Sequence, residues 1–142
     1  MIKCFLISDS EGHAYYKKSY DNSFDKVDSN LLGGLISAIS TFSKELLNKR
    51  LARIYFGDKM AENLTIIPKS TFNSHRSIYF IFFSTNNLSI SLMKEISSAI
   101  YIETKSFLIN SAIKNNPHLS VKAEKIIKKY DNQLGIIKKN ED

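Results

Sequence analysis

The chain has 142 residues, of which 43% are hydrophobic, 11% aromatic and 24% charged, with a formal net charge of +6. These values predict one globular domain with a substantial core, and they exclude disordered and collagen-like chains. A single cysteine, Cys4, excludes an internal disulfide framework and most zinc sites. We see no signal peptide and no apolar run of about 18–20 residues, so we expect a cytoplasmic protein.

The positive charge is carried mainly by dispersed lysines, since the arginines are only Arg50, Arg53 and Arg76. Proteins that read nucleic acids favour arginine for bidentate contacts, so we expect no nucleic-acid partner. We interpret most of this charge as a solvated surface that keeps the domain soluble. The alternative is a weak peripheral attraction to anionic membranes or acidic partners through residues 122–139.

The first half of the chain predicts two strands and a long helix. The apolar residues 2–7 are typical of a central strand, Gly12 allows a hairpin turn, and residues 15–20 form the second strand. Asp28 is a suitable N-cap for a helix that extends to about Asn48. At about 100° per residue, the apolar residues of this helix share one face, which we expect to be buried. They are Leu32, Leu35, Ile36, Ile39, Phe42, Leu46 and Leu47.

Three more strands and two more helices are predicted after this helix. Residues 51–56 and 63–67 form the third and fourth strands, and Pro68 ends the fourth. Residues 77–83 are the most apolar segment and are typical of a buried central strand. A second helix spans about 89–113, and residues 119–134 regain helical spacing. We expect this last amphipathic helix to fold back on the second, and the alternative is an intermolecular role.

Residue types that carry catalysis or bind cofactors form no recognisable motif. The three histidines lie far apart in the sequence, and Asp9 with Glu11 fits a turn better than a pair of catalytic carboxylates. The pair Gly33-Gly34 lies inside a helix, so it is not a phosphate-binding loop. Cys4 lies in a buried strand and is best read as a small hydrophobe. We therefore expect no enzyme, no cofactor and no metal.

The far side of the first helix carries small residues, namely Gly34, Ser37, Ala38 and Thr41. Two glycines cost a helix about 1 kcal/mol each relative to alanine, so their presence needs a reason. Small residues let another backbone approach closely, and one interpretation is a docking surface for a second subunit or partner. The other interpretation is a solvated face that tolerates small polar residues.

The order β-β-α-β-β-β-α and four segments resemble the longin-like domains, which are relatives of the roadblock domains. The segments are the opening strand MIKCFLI, the turn DSEG, the helix LLGGLISAI and the strand ARIYFG. The resemblance covers residues 1–113 and leaves residues 114–142 as a C-terminal amphipathic helix and charged tail. It is especially similar to the stand-alone longin-like proteins of archaea related to eukaryotes.

This resemblance implies an α+β fold of the longin or profilin type, in which a five-stranded antiparallel sheet lies between helices. It implies no enzymatic activity, because such domains bind small GTPases, trafficking adaptors or one another as homodimers or heterodimers. Dimers of this kind often use the first helix and an edge strand, whose free backbone groups can extend a partner's sheet. The interface candidates are then Gly34, Ser37, Ala38, Thr41, Leu51, Arg53 and Tyr55.

Two other functions remain open. A small-molecule-sensing domain of similar topology would need convergent polar groups, for which Tyr15, Tyr79 and Glu103 are the candidates. A profilin-like actin-binding module usually begins with a helix, whereas this chain begins with a strand. The leading hypothesis is a dimerising interaction module that binds a small GTPase or a trafficking-type complex.

Overall fold

The strands and helices follow the predicted order in a computed structural model, which describes residues 1–70, 76–109 and 117–135. In chain order they are β1 (Ile2–Asp9), β2 (Ala14–Ser19), a short 3-10 turn (Asn22–Phe24), α1 (Ser29–Leu47), β3 (Arg53–Phe56), β4 (Glu62–Ser70), β5 (Ser77–Thr85), α2 (Ile90–Ile109) and α3 (Pro117–Lys128). The predictions for His75, for the end of the second helix near residue 113 and for the charged tail lie outside the described residues.

The five strands form one antiparallel sheet in the order β2-β1-β5-β4-β3. The central position predicted for the most apolar segment is confirmed, because β5 lies in the middle of this order. β1 lies beside β5, and both strands are almost entirely buried. Their nearly continuous apolar sequences follow from this, since each has both of its faces covered. β2 and β3 are the two edges.

Helices cover both faces of the sheet, which confirms the predicted α+β sandwich. On one face Ile36 of α1 packs with Leu6, Ile81 and Phe83. On the other face α2 and α3 pack on residues that alternate with these, including Phe5 and Phe80. The period of two along a strand therefore divides β1 and β5 between two cores. Among the described residues, no helix is long and apolar enough to cross a membrane.

The predicted ends of α1 are confirmed in detail. The Asp28 carboxylate accepts the backbone N–H groups of Asn30 and Leu31, at 2.9 and 3.0 Å. These are donors that the first turn of a helix leaves without partners, so Asp28 is the N-cap. At the other end Asn48 takes a left-handed conformation, with φ of 50°, and the helix stops there.

The prediction that Pro68 ends the fourth strand is wrong, because β4 continues to Ser70. The backbone N–H of Ile66 donates to Ala52 on the β3 side, so the backbone nitrogen of residue 68 points to the same side. β3 has no residue paired beyond Thr65. Proline at this position therefore removes no hydrogen bond from the sheet, and the strand can continue.

The C-terminal helix is shorter than predicted, but it packs on α2 as expected. α3 spans Pro117–Lys128, and turns then lead to Leu134. Its inward side chains Leu119, Ala123, Ile126 and Ile127 join the same core as α2. Leu134 is 1% exposed, and its carbonyl accepts the N–H of Ile2 at 3.0 Å. The segment after α3 is thus tied to the first strand of the sheet.

Candidate protein-interaction surface

The outward side of α1 carries a row of apolar side chains that point into solvent: Leu31, Leu35, Ala38, Phe42 and Leu46, here called the α1 stripe. They recur every three or four residues and therefore share one side of the helix. The exposed fraction is 73% for Leu31, 60% for Phe42 and 66% for Leu46. Large apolar side chains exposed in a continuous row mark an interaction site more often than a solvated face.

The prediction that the apolar face of the first helix is buried is therefore wrong for Leu35, Phe42, Leu46 and Leu47. Ile36 is buried, and Leu32 is half-buried in the same core. For Leu35, Phe42 and Leu46 the reason is geometric, because the apolar residues of α1 are spread over a wider arc than one sheet contact can cover. Leu47 lies on the same side as Ile36, but it is the last residue of the helix and stays exposed. The part of this arc that the sheet does not reach is left for solvent or for a partner.

The small residues of the first helix divide between two environments. Ser37 is half-buried, and its hydroxyl donates to the carbonyl of Ser10 at 2.6 Å, so it serves the contact between α1 and the β1–β2 turn. Gly34, Ala38 and Thr41 are exposed beside or within the α1 stripe. A Cβ atom added to Gly34 would have no other atom within 4 Å. These three positions are free for contact with another chain.

The strand β3 forms the edge of the sheet, as predicted, and pairs only with β4. Its outer backbone N–H and C=O groups are those with which an incoming strand would pair. Ile54 packs in the core under α1, and the Phe56 ring lies 6.5 Å from that of Phe83 in the same core. Phe56 is 43% exposed, so it extends the apolar surface from this core to the sheet edge.

Arg53 and Tyr55 lie on the opposite face of β3, because side chains alternate along a strand. The Arg53 Nε donates to the Thr65 hydroxyl at 2.9 Å, and its guanidinium carbon lies 5.8 Å from the centre of the Tyr55 ring. The Arg53 Nη2 is buried without a hydrogen-bond partner among the described residues. The predicted interface residues are thus split, with Leu51 on the α1 side and this pair on the other.

Large exposed hydrophobic side chains are concentrated on these two elements. Of the twelve such side chains in the described part of the chain, five lie on α1 and two on β3. The sequence did not predict that the apolar side chains of α1 lie on the surface, because the prediction assigned the whole apolar arc to the core. The width of that arc and the extra Leu31 were the available signals.

A buried polar cluster fixes the turn between β1 and β2. The Asp9 carboxylate accepts the backbone N–H groups of Glu11 and His13 at 3.0 and 2.9 Å and the Tyr15 hydroxyl at 2.7 Å, and it lies 3.5 Å from Arg76. Burial and the bond to Asp9 raise the pKa of Tyr15, which keeps this donor protonated. Asp9, Glu11 and His13 bring potential metal-ligand atoms within 4.8 Å of one another. Because the Asp9 oxygens already have these partners, the cluster stabilises the turn between β1 and β2.

The three residues predicted for a small-molecule pocket do not come together. Tyr15 lies in the core under α2, whereas Tyr79 packs on the side of α1. Glu103 is exposed on α2, with its carboxylate 3.9 Å from the Lys122 ammonium. The sheet separates the two tyrosines, so these residues cannot surround one ligand.

No protein-family model and no curated protein matches this sequence. Solved structures with a similar fold include MglB of Myxococcus xanthus, with 16% identity, a TM-score of 0.46 and coverage of 75% of this chain and 83% of that one. A Roadblock/LC7 domain from Streptomyces avermitilis has 8% identity, a TM-score of 0.49 and coverage of 77% and 87%. The gliding protein MglB of Thermus thermophilus has 13% identity, a TM-score of 0.46 and coverage of 87% and 79%. These similar solved structures are thus two MglB proteins and one Roadblock/LC7 domain.

Proposed function

We propose that this protein is a non-enzymatic interaction module that pairs with a second copy of itself through the α1 stripe and the β3 edge. The observation that carries the proposal is the α1 stripe, in which Leu31, Leu35, Phe42 and Leu46 are each more than half exposed. A domain of this size has no internal use for such a surface, and a second chain would remove it from water.

The energies are of the right order for a dimer. Full burial of a leucine or phenylalanine side chain contributes about 1.5–3 kcal/mol, and a symmetric pair would bury four from each copy. The loss of translational and rotational freedom costs roughly 4–15 kcal/mol. The stripe alone therefore compensates for much or all of that cost, and contacts from β3 add to it.

The β3 edge would fix the orientation of the two copies relative to each other. Backbone pairing between two β3 strands would join the sheets of both copies, and Phe56 would lie next to the joined edges. The α1 stripe lies on the same side of the sheet as Phe56, because both elements share one core. The two elements therefore present their apolar groups on one side of the sheet.

Light scattering over a concentration series tests this proposal. We expect a mass of twice 16.2 kDa for the wild-type chain and a monomer for Phe42→Glu, which places a charge in the stripe. The matched control is Ile102→Glu, since Ile102 is 67% exposed on α2 and lies on the other face of the sheet. A wild-type monomer at every concentration, or a dimer that Phe42→Glu leaves intact, would contradict self-association.

We infer further that the dimer engages a small GTPase or a trafficking-type complex in the cytoplasm, as the resemblance to longin-like domains implies. The test is retention of the small GTPases of its host on the immobilised wild-type chain, in the GDP and GTP-analogue forms. Retention in one nucleotide form that Phe42→Glu abolishes supports this partner. No retention in either form contradicts it and leaves the dimer itself untouched.

A further inference from the structure

A polar cavity of about 390 Å³ lies on the α1 side of the sheet, between the C-terminal half of α1 and the ends of β4 and β5. This volume is within the range of small-ligand sites. Eight of its ten lining residues have polar or charged side chains, and they come from three separate elements and the α1–β3 connection. The predicted interaction surface shares Leu51 with this cavity but does not account for its polar residues.

The charge around the cavity has one sign. Lys44, Lys49 and Arg50 line it, and none of the described lining residues is acidic. None of the three forms an ion pair with the described residues, whereas Lys3, Lys18 and Lys122 each lie within 4.0 Å of a carboxylate. Three cations around one polar space repel each other, and an anion placed among them would relieve that repulsion.

Three hydroxyl groups of the cavity have no hydrogen-bond partner among the residues that the structure describes. The hydroxyls of Ser40, Ser77 and Tyr79 make no hydrogen bond to the part of the chain that the structure describes. A phosphate group offers several acceptor oxygens, and the planar fork of arginine matches it in a bidentate manner. The lysines would act beside it as point charges.

Helix stabilisation explains only part of this arrangement. Cations near a helix C-terminus interact favourably with its partial negative charge of about one half, and Lys44 is placed to do so. Arg50 lies beyond the helix, and Ser77 and Tyr79 belong to β5, so the helix dipole does not account for them. The partial negative charge at the helix C-terminus would repel an anion, but the three full positive charges are larger than this half charge.

We propose that this cavity binds the phosphate group of a phosphate monoester, with Arg50, Lys44 and Lys49 as its cationic contacts. The site is separate from the proposed dimer surface. Ser40, Lys44 and Asn48 follow one another at intervals of four residues, on the side of α1 opposite the stripe. The two proposals can therefore fail independently.

Calorimetric titration of the full chain with inorganic phosphate and with glycerol 3-phosphate tests the site at low ionic strength. We expect saturable binding that the double variant Lys44→Ala/Arg50→Ala weakens by about tenfold or more, since charge-assisted hydrogen bonds are lost. The matched control is Lys94→Ala/Lys105→Ala, which removes the same charge from exposed positions on α2. We expect the control to bind like the wild type.

Co-sedimentation with phosphatidylcholine vesicles, with and without phosphatidic acid, separates the two sources of the phosphate. Vesicle binding that Lys44→Ala/Arg50→Ala abolishes while free phosphate does not bind assigns the site to a lipid headgroup. Absence of binding in both assays would overturn the proposal. An equal loss of binding in the two double variants would also overturn it, because the binding would then depend on the net charge of the protein and not on this cavity. Circular dichroism melting checks that both double variants remain folded.

Discussion

The carbonyl oxygen of Gly12 lies 2.8 Å from the position that a Cβ atom would take on Gly33. No real Cβ contact is that short, so Gly33 is the residue that lets α1 approach the β1–β2 turn. Gly12 itself has a φ of 93°, which the turn requires and which favours glycine. The next residue, Gly34, has open space where its side chain would be. Two adjacent glycines in one helix thus have different physical roles.

These roles predict opposite effects of the same substitution. Gly33→Ala should lower the free energy of unfolding by about 1–3 kcal/mol, because the new methyl group forces the turn away from the helix. Gly34→Ala should raise it by up to about 1 kcal/mol, which is the helix propensity gained at an exposed position. Urea unfolding followed by circular dichroism measures both. A rise in the free energy of unfolding for both variants would show that the close approach does not limit position 33.

The buried carboxylate of Asp9 should be among the costliest side chains to remove. Asp9→Ala deprives the Arg76 guanidinium of its carboxylate and leaves the Tyr15 hydroxyl and two backbone N–H groups without an acceptor. We expect a loss of about 3–5 kcal/mol in the free energy of unfolding. Asp58, exposed in the turn after β3, is the control, and Asp58→Ala should change stability by less than about 0.5 kcal/mol. Similar losses in the two variants would contradict the role of the cluster.

The segment after α3 should contribute to the stability of the whole sheet. Leu134 is buried in the core that α2 and α3 share, so Leu134→Ala should lower the free energy of unfolding by about 2–5 kcal/mol. Val121, which is 66% exposed on α3, provides a control for which truncation to alanine should cost less than about 0.5 kcal/mol. Thermal unfolding of both variants measures the difference. An unchanged melting temperature for Leu134→Ala would mean that this segment is dispensable.

Alkaline pH should destabilise the fold through Cys4. Burial raises the pKa of this thiol from its ordinary value of 9.0 to about 11, so the unfolded chain loses the proton first. The folded state then binds more protons, and the free energy of unfolding falls as pH rises from about 9 through 11. Tyr15, Tyr16 and Tyr20, whose pKa values are also raised by burial, act in the same direction.

The measurement is urea unfolding at a series of alkaline pH values for the wild type and for Cys4→Ala. We expect a shallower decline in the variant, with a remaining slope from the three tyrosines. An identical slope in the two proteins would show that the thiol does not ionise on unfolding in this range.

Local patterns in the sequence determined the elements of this fold. The spacing of apolar residues placed both long helices, and Asp28 marked the start of α1 because a carboxylate can satisfy the free N–H groups of a first turn. The apolar run in residues 77–83 indicated a strand covered on both faces, and β5 is that strand. These features depend on residues close together in the chain.

Only the tertiary structure decided which apolar residues of α1 are buried. Leu35 and Ile36 are neighbours of similar hydrophobicity, yet the sheet covers only Ile36. The close approach of Gly33 to Gly12 helps to set how much of the helix arc is in contact, and it joins residues distant in sequence. The same holds for the cavity at Arg50, whose lining joins α1, β4 and β5. Such convergence has no local pattern, because long-range packing creates it.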